Sequence, residues 1–577
     1  MKTFLKWLAG VITVFILLIL FIIITLNIVF DTEPYIPDYA YVEINLQGHL
    51  PEYIPPDAFE SALGQTRFDM AKFRDVLEKA AIDERIAGVV LKIGYLQVSL
   101  GEAQELTDLI KKFRDSGKKI VAFLGPGLTT TRDYYVASAC ESVFMTPQAN
   151  LFLTGLYSEV TFYKDFFSKI GVEADFIHIG DYKNAPDPYT RSTMSPEQRE
   201  ETTQLLDAWY NDIRQTIAAN RGFSSEKVDE LINIKTGFTG WEAWREGLVD
   251  TVLYYPEVVK YFPSENGLPE PLSAEEYTTV PAGDLDIRKD SKIAVVHCLG
   301  TITGGSNSED YLMGQLAGAA SFADNMEKAA ESSAIKAIIL RIDSPGGSAS
   351  ASEVMWNAVK KAVEKKPVIV SISGMCASGG YYIAAPAITI ISQKNSIVGS
   401  IGIFGGKFSI GALYKKLGMN TEKITRGKNA AIFSLSQVWS ESEKKVIRHI
   451  LEEFYSDFKI KVAEGRGIPF DSVEALAGGR IFTGGTALHN KLVDRHGNFY
   501  DAVDEAKRLA GIEEKESVEL IYYPASKSLL GEILSGIQAK NASENILLDS
   551  YERLEQTLLF WQNQPLALLP FRLEYLP

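Results

Sequence analysis

The sequence predicts an α/β protein made of two tandem copies of one unit, and three observations carry that expectation. Short β-branched runs alternate with stretches of helical periodicity, as in folds where parallel strands are joined by crossover helices. The chain also repeats itself. L-E-K-A-A-I-D-E-R-I-A-G-V-V-L-K-I from Leu77 matches M-E-K-A-A-E-S-S-A-I-K-A-I-I-L-R-I from Met326, Y-Y-V-A from Tyr134 matches Y-Y-I-A from Tyr381, and F-T-G-W-E-A from Phe238 matches F-T-G-G-T-A from Phe482. Finally, 577 residues are too many for one ordinary domain.

Taken in order, the chain opens with an uncharged stretch from Trp7 to Phe30, long enough as a helix (about 36 Å) to cross a hydrocarbon core. Lys2 and Lys6 precede it and Asp31 and Glu33 follow, so the expected topology is a cytoplasmic N-terminus with everything beyond Asp31 on the far side. The expected organisation is an anchor over 1–34, a first repeat over 35–262, a linker over 263–290, a second repeat over 291–510 and a helical extension over 511–577. The linker is acidic and proline-containing, beginning P-S-E-N-G-L-P-E-P. In the second repeat, strands are expected at 293–296, 337–342 and 368–372, with helices at 322–330 and 351–363 and another opening near Tyr381. In the extension, Leu547, Leu548, Tyr551, Leu554, Leu558 and Leu559 recur at helical spacing, which predicts an amphipathic helix packed on the domain or on a neighbouring subunit.

Composition narrows the function classes. With 58 basic against 74 acidic residues the net charge is −16, which argues against a nucleic-acid partner. Cys140, Cys298 and Cys376 form neither a disulfide framework nor a metal-ligand spacing, and each falls in or beside an expected core strand. No metal cluster or phosphate loop is present in the sequence, so no cofactor is expected.

The candidate catalytic stretch is P-V-I-V-S-I-S-G-M-C-A-S-G-G-Y-Y-I-A-A-P from Pro367, where Ser378 stands between an expected strand and an expected helix and is followed by Gly379 and Gly380. A serine there, with bare backbone amides beside it, is a candidate nucleophile. Taken alone, A-S-G-G reads better as a tight turn with a serine cap. Comparison of the copies separates the two readings: Ser378, Gly379 and Gly380 face Thr131, Arg132 and Asp133, and R-I-D-S-P-G-G from Arg341 faces K-I-G-Y-L-Q-V from Lys92. Either glycine pair alone reads equally as close strand–helix packing, but the first copy lacks the serine and both pairs together, which favours a shared job for the N–H groups of Gly347 and Gly379 on one substrate oxyanion. Met375 and Tyr381 flank the serine, with packing inside the fold as their expected role.

A serine nucleophile needs a base. None of the six histidines, His49, His178, His297, His449, His489 and His496, sits in a recognisable triad motif. A lysine serves if burial lowers its pKa from about 10.4 towards neutrality, a shift of roughly 4–5 kcal/mol. Lys183 in G-D-Y-K-N-A and Lys428 in R-G-K-N-A-A correspond across the copies, and spacing does not choose between them.

S-G-M-C-A-S-G-G-Y-Y-I-A, N-S-I-V-G-S-I-G-I-F-G, R-I-D-S-P-G-G and G-D-Y-K-N-A-P-D-P-Y-T-R-S-T-M-S-P-E-Q-R-E together resemble the long form of the signal peptide peptidase A, or protease IV, group of the S49 serine peptidases, over about residues 41–510. The resemblance implies tandem crotonase/Clp-like ββα-superhelices behind one transmembrane helix. It also implies a serine endopeptidase that degrades cleaved signal peptides at a bacterial inner membrane, with its catalytic part periplasmic and its chains in a homotetramer. It makes Ser378 the nucleophile and Lys183 the base. Lys428 stays as the alternative base, because short, single-copy members carry both residues within one copy at a similar separation. An acyl-coenzyme A enzyme of crotonase type and a catalytically inactive membrane scaffold are the rival readings.

Overall fold

The computed structural model describes residues 36–56, 67–263, 267–285, 287, 289–310, 313–525 and 566–568, together with Trp7, Gly10, Thr13 and Val14. Each copy is built on a parallel sheet. In the first, strands Ala40–His49, Ile86–Gln97, Lys119–Leu124 and Ser142–Met145 pair in that order within a six-stranded sheet. In the second, Lys289–Leu299, Ile335–Ser344, Val368–Ala377 and Thr389–Ser392 repeat that order within an eight-stranded sheet. The central strands Ile335–Ser344 and Val368–Ala377 are largely apolar and buried on both faces, as parallel strands covered by crossover helices must be. Ala319–Glu331 and Ala349–Val363 are the crossover helices of the second copy, in line with the helices expected there.

A third sheet stitches the copies together. Its order is Ser308–Asp310, Gly314–Gly318, Thr301–Thr303, Gly346–Ser348, Leu566–Leu568, Ile403–Ser409 and, at one edge, Glu173–Ile179 from the first copy. Glu173–Ile179 runs antiparallel to Ile403–Ser409, from Glu173 opposite Ser409 to Ile179 opposite Ile403. A second tie is ionic. Arg341 of the second copy and Arg74 of the first share the carboxylates of Glu52 and Glu105 at 2.5–2.8 Å, all four side chains being buried. Ser371 and Ser373 accept further hydrogen bonds from Arg341.

Two expectations about the fold class are corrected. Among the described residues no helix is long and apolar enough to cross a membrane. Pro196–Arg221 and Glu441–Arg466 have the length, at 26 residues each, but charged and amide side chains recur along both. The transmembrane anchor is corrected on that finding. With it go the membrane as a partner, the inner-membrane and periplasmic placement, and the digestion of signal peptides there. The stretch from Trp7 to Phe30 on which they rested lies outside the described residues, save Trp7, Gly10, Thr13 and Val14, as does the helix expected at 546–561. The second correction concerns the superhelices. The strand pairing shows an α/β fold whose copies share a sheet, and among the described residues it shows no explicit repeat of the ββα-superhelix that the resemblance implied.

Candidate active site

Ser378 sits where the strand Val368–Ala377 turns directly into the helix Gly379–Ala384. The turn is sharp: Ser378 has φ 55° and ψ −115°, a strained conformation for a residue with a side chain. It is held by a 2.7 Å hydrogen bond from its N–H to the Gly399 carbonyl and by the Tyr382 N–H on its own carbonyl. The glycines that follow have no room for side chains. A Cβ on Gly379 would stand 2.5 Å from Ser352 Oγ, and one on Gly380 2.9 Å from the Ser344 carbonyl oxygen.

Gly347 and Gly379 are neighbours, since a Cβ on Gly379 would come 3.2 Å from the Gly347 nitrogen. Close packing also demands glycine at 347, where a Cβ would overlap the Ile302 carbonyl oxygen at 2.0 Å. Close packing thus explains both glycines, and it sets the two residues side by side.

The register of the shared sheet delivers the lysine. Beyond Ile179 and Ile403, which face each other, the chains run on to Lys183 in one direction and back to Ser400 in the other. Lys183 Nζ lies 2.7 Å from Ser378 Oγ, 3.0 Å from Ser400 Oγ and 3.3 Å from the Ser400 carbonyl. Lys183 is fully buried, as is Ser378. Room for it comes from glycines: a Cβ on Gly479 would lie 2.6 Å from Lys183 Cα, and one on Gly402 3.2 Å from Lys183 Cδ. No carboxylate among the described residues forms an ion pair with Lys183. Burial therefore holds its pKa well below the ordinary lysine value, with Glu201 as the opposing influence.

Glu201 and Ser400 were missed in the sequence. Glu201 accepts the Ile481 N–H at 2.5 Å, and burial pushes its carboxyl up to about 8 against the pull of that N–H, Arg480 and Lys183. Burial thus favours the protonated carboxyl, and a protonated Glu201 does not hold Lys183 in its charged form. The neighbouring Arg480 carbonyl accepts the Ser400 N–H at 2.6 Å, so one stretch of chain fixes both residues. Ser400 has φ 54°, and its G-S-I-G context within N-S-I-V-G-S-I-G-I-F-G was the available signal.

The other candidates fall elsewhere. Lys428 is exposed in a turn-rich stretch and makes no hydrogen bond to Ser378. No histidine ring is a partner of either residue. Cys376, Cys140 and Cys298 are buried and free, and burial raises each thiol's pKa above its ordinary value. Tyr381 is buried with its hydroxyl on the Leu492 carbonyl, and Met375 packs against the core of the first copy.

A strand-to-helix serine facing a buried lysine across two fused α/β copies is the layout of a serine hydrolase without a histidine. The chain belongs to peptidase family S49, whose model matches residues 112–268 and 360–513, and it is a serine protease of that family. It is 33% identical to "Serine protease SPPA, chloroplastic" of Arabidopsis thaliana over 467 residues, covering 80% of this chain and 68% of that protein. It is 29% identical to "Protease 4" of Haemophilus influenzae over 459 residues, 77% of this chain and 73% of the other. It is 28% identical to "Protease 4" of Salmonella typhi over 477 residues, 80% and 75% of the two chains. Family membership removes the support for the acyl-coenzyme A and inactive-scaffold readings.

Proposed function

We propose that the chain hydrolyses peptide bonds with Ser378 as nucleophile and Lys183 as its base. The observation that carries this is the 2.7 Å approach of a buried lysine nitrogen to Ser378 Oγ, with no carboxylate paired to that nitrogen. Uncharged Lys183 takes the proton as Oγ attacks the scissile carbonyl carbon, and the oxyanion accepts the N–H groups of Gly347 and Gly379. When the carbon–nitrogen bond breaks, the lysine ammonium gives its proton to the leaving amine. Water then attacks the acyl-serine with Lys183 again as base, releasing the new carboxylic acid and restoring the serine. Ser400 holds Lys183 through its hydroxyl and carbonyl.

A serine-directed acylating probe tests the reading. It modifies the folded wild type on Ser378, and neither Ser378→Ala nor denatured protein reacts. Modification of Ser378→Ala at the wild-type rate contradicts the assignment.

A further inference from the structure

Leu566–Leu568 lies far along the chain from the strands it joins. This three-residue strand runs antiparallel to Gly346–Ser348, with Leu566 opposite Ser348, Ala567 opposite Gly347 and Leu568 opposite Gly346. On its other side it pairs antiparallel with Ile403–Ser409, Leu566 lying opposite Phe404. It thus fills a slot between two strands that do not pair with each other. Both walls of that slot belong to the candidate site. Gly347 carries one of the amides assigned to the oxyanion, and Ile403–Ser409 follows Ser400 and pairs with the strand that leads to Lys183. Leu566 is fully buried in an apolar pocket with Ala185, Phe404 and Phe176. Ala185 lies just beyond Lys183, so that pocket too straddles the two copies.

We propose that Leu566–Leu568 sits in the groove that binds peptide substrate, so that the chain's own segment occludes the site and must leave before a substrate enters. This rests on the proposed role of Ser378 and deepens it by naming the ligand class: an extended peptide, added between two strand edges, with an aliphatic side chain in the pocket of Ala185, Phe404 and Phe176. Main-chain pairing of this kind is indifferent to sequence, so edges that take L-A-L take other peptides, and the pocket supplies the selection. Ala567 opposite Gly347 puts the segment's backbone beside the amide that a scissile carbonyl requires. Because the segment is tethered, it competes at an effective concentration on the order of mM. A segment seated nine-tenths of the time raises the apparent KM for an external peptide about tenfold.

The test uses the full chain carrying Leu566→Asp, since a carboxylate does not enter a pocket walled by Phe176 and Phe404. Expected is a KM for a short fluorogenic peptide about tenfold lower than wild type, with kcat unchanged. Leu566→Ala, which keeps the pocket dry, shifts KM in the same direction by less. In parallel, the labelled synthetic peptide Q-P-L-A-L-L-P, corresponding to residues 564–570, is titrated by fluorescence anisotropy into full-length Ser378→Ala/Leu566→Asp. It binds, and a version with aspartate at its first leucine does not. Unchanged KM in both variants together with no peptide binding overturns the inference. Binding is read without turnover, so hydrolysis persisting in Ser378→Ala would sink the nucleophile assignment alone, and unchanged KM with no peptide binding would sink only this one.

Discussion

Lys183 Nζ and Ser378 Oγ lie 2.7 Å apart although 195 residues separate them in the chain. Glu173–Ile179 on Ile403–Ser409 sets that meeting, and burial holds the lysine pKa well below its ordinary value. Its titration is the first consequence. The base is active when deprotonated, so kcat/KM rises with pH through the depressed lysine pKa and levels off below the ordinary lysine range. Lys183→Arg, permanently charged, is inactive at every pH. A wild-type profile still climbing at pH 10 contradicts this.

Ser400 orients the base through two contacts, of which Ser400→Ala removes the hydroxyl one. One net hydrogen bond is worth about 1 kcal/mol, so kcat falls roughly five- to tenfold with KM little changed. Steady-state kinetics on a short peptide reads the split.

Gly479 has φ 90° and leaves no room for a side chain against the Lys183 backbone. Gly479→Ala therefore shifts the lysine loop and slows acylation of Ser378, measured as the rate of labelling by the serine-directed probe. Gly222, also at positive φ but with open space around it, is the control: Gly222→Ala strains the chain without slowing labelling.

The Arg74, Glu52, Glu105 and Arg341 cluster ties the two copies. Arg341→Met leaves two buried carboxylates on one arginine, and the expected cost is about 3–5 kcal/mol in denaturant unfolding. A loss under 1 kcal/mol would show that the cluster does not hold the copies together.

Glu201 makes stability depend on pH in a stated direction. Its folded pKa, about 8, lies above the unfolded value of about 4.3. The folded state holds a proton that the unfolded chain releases in that window, so the contribution is complete below about pH 4.3 and is lost as pH rises through 8. Glu201→Gln cannot ionise. The stability of wild type relative to this variant therefore falls between pH 5 and 8, by roughly 3–4 kcal/mol. Parallel unfolding curves across that range contradict a raised Glu201 pKa.

Much of this was legible in the sequence. Val368 to Ile372 reads as a strand because β-branched residues fill it, and Ser378 stood out once the copies were compared. The choice between Lys183 and Lys428 was not legible from spacing, because it depends on which strand of one copy pairs with Ile403–Ser409 of the other. Glu201 lies in the charged run E-Q-R-E-E, where nothing in the sequence sets it apart, and its burial is a tertiary fact. Leu566–Leu568 is too short to show any period and reads as strand only once the edges beside it exist. The expected membrane anchor was inferred from apolar length alone, and the described helices do not support it.

The most direct test of the account compares kcat/KM for Lys183→Ala and Lys428→Ala on one peptide substrate, with both variants shown to be folded. Expected is a loss of about 10²–10⁴-fold in Lys183→Ala and wild-type activity in Lys428→Ala. Activity that survives the first substitution and disappears in the second would contradict it.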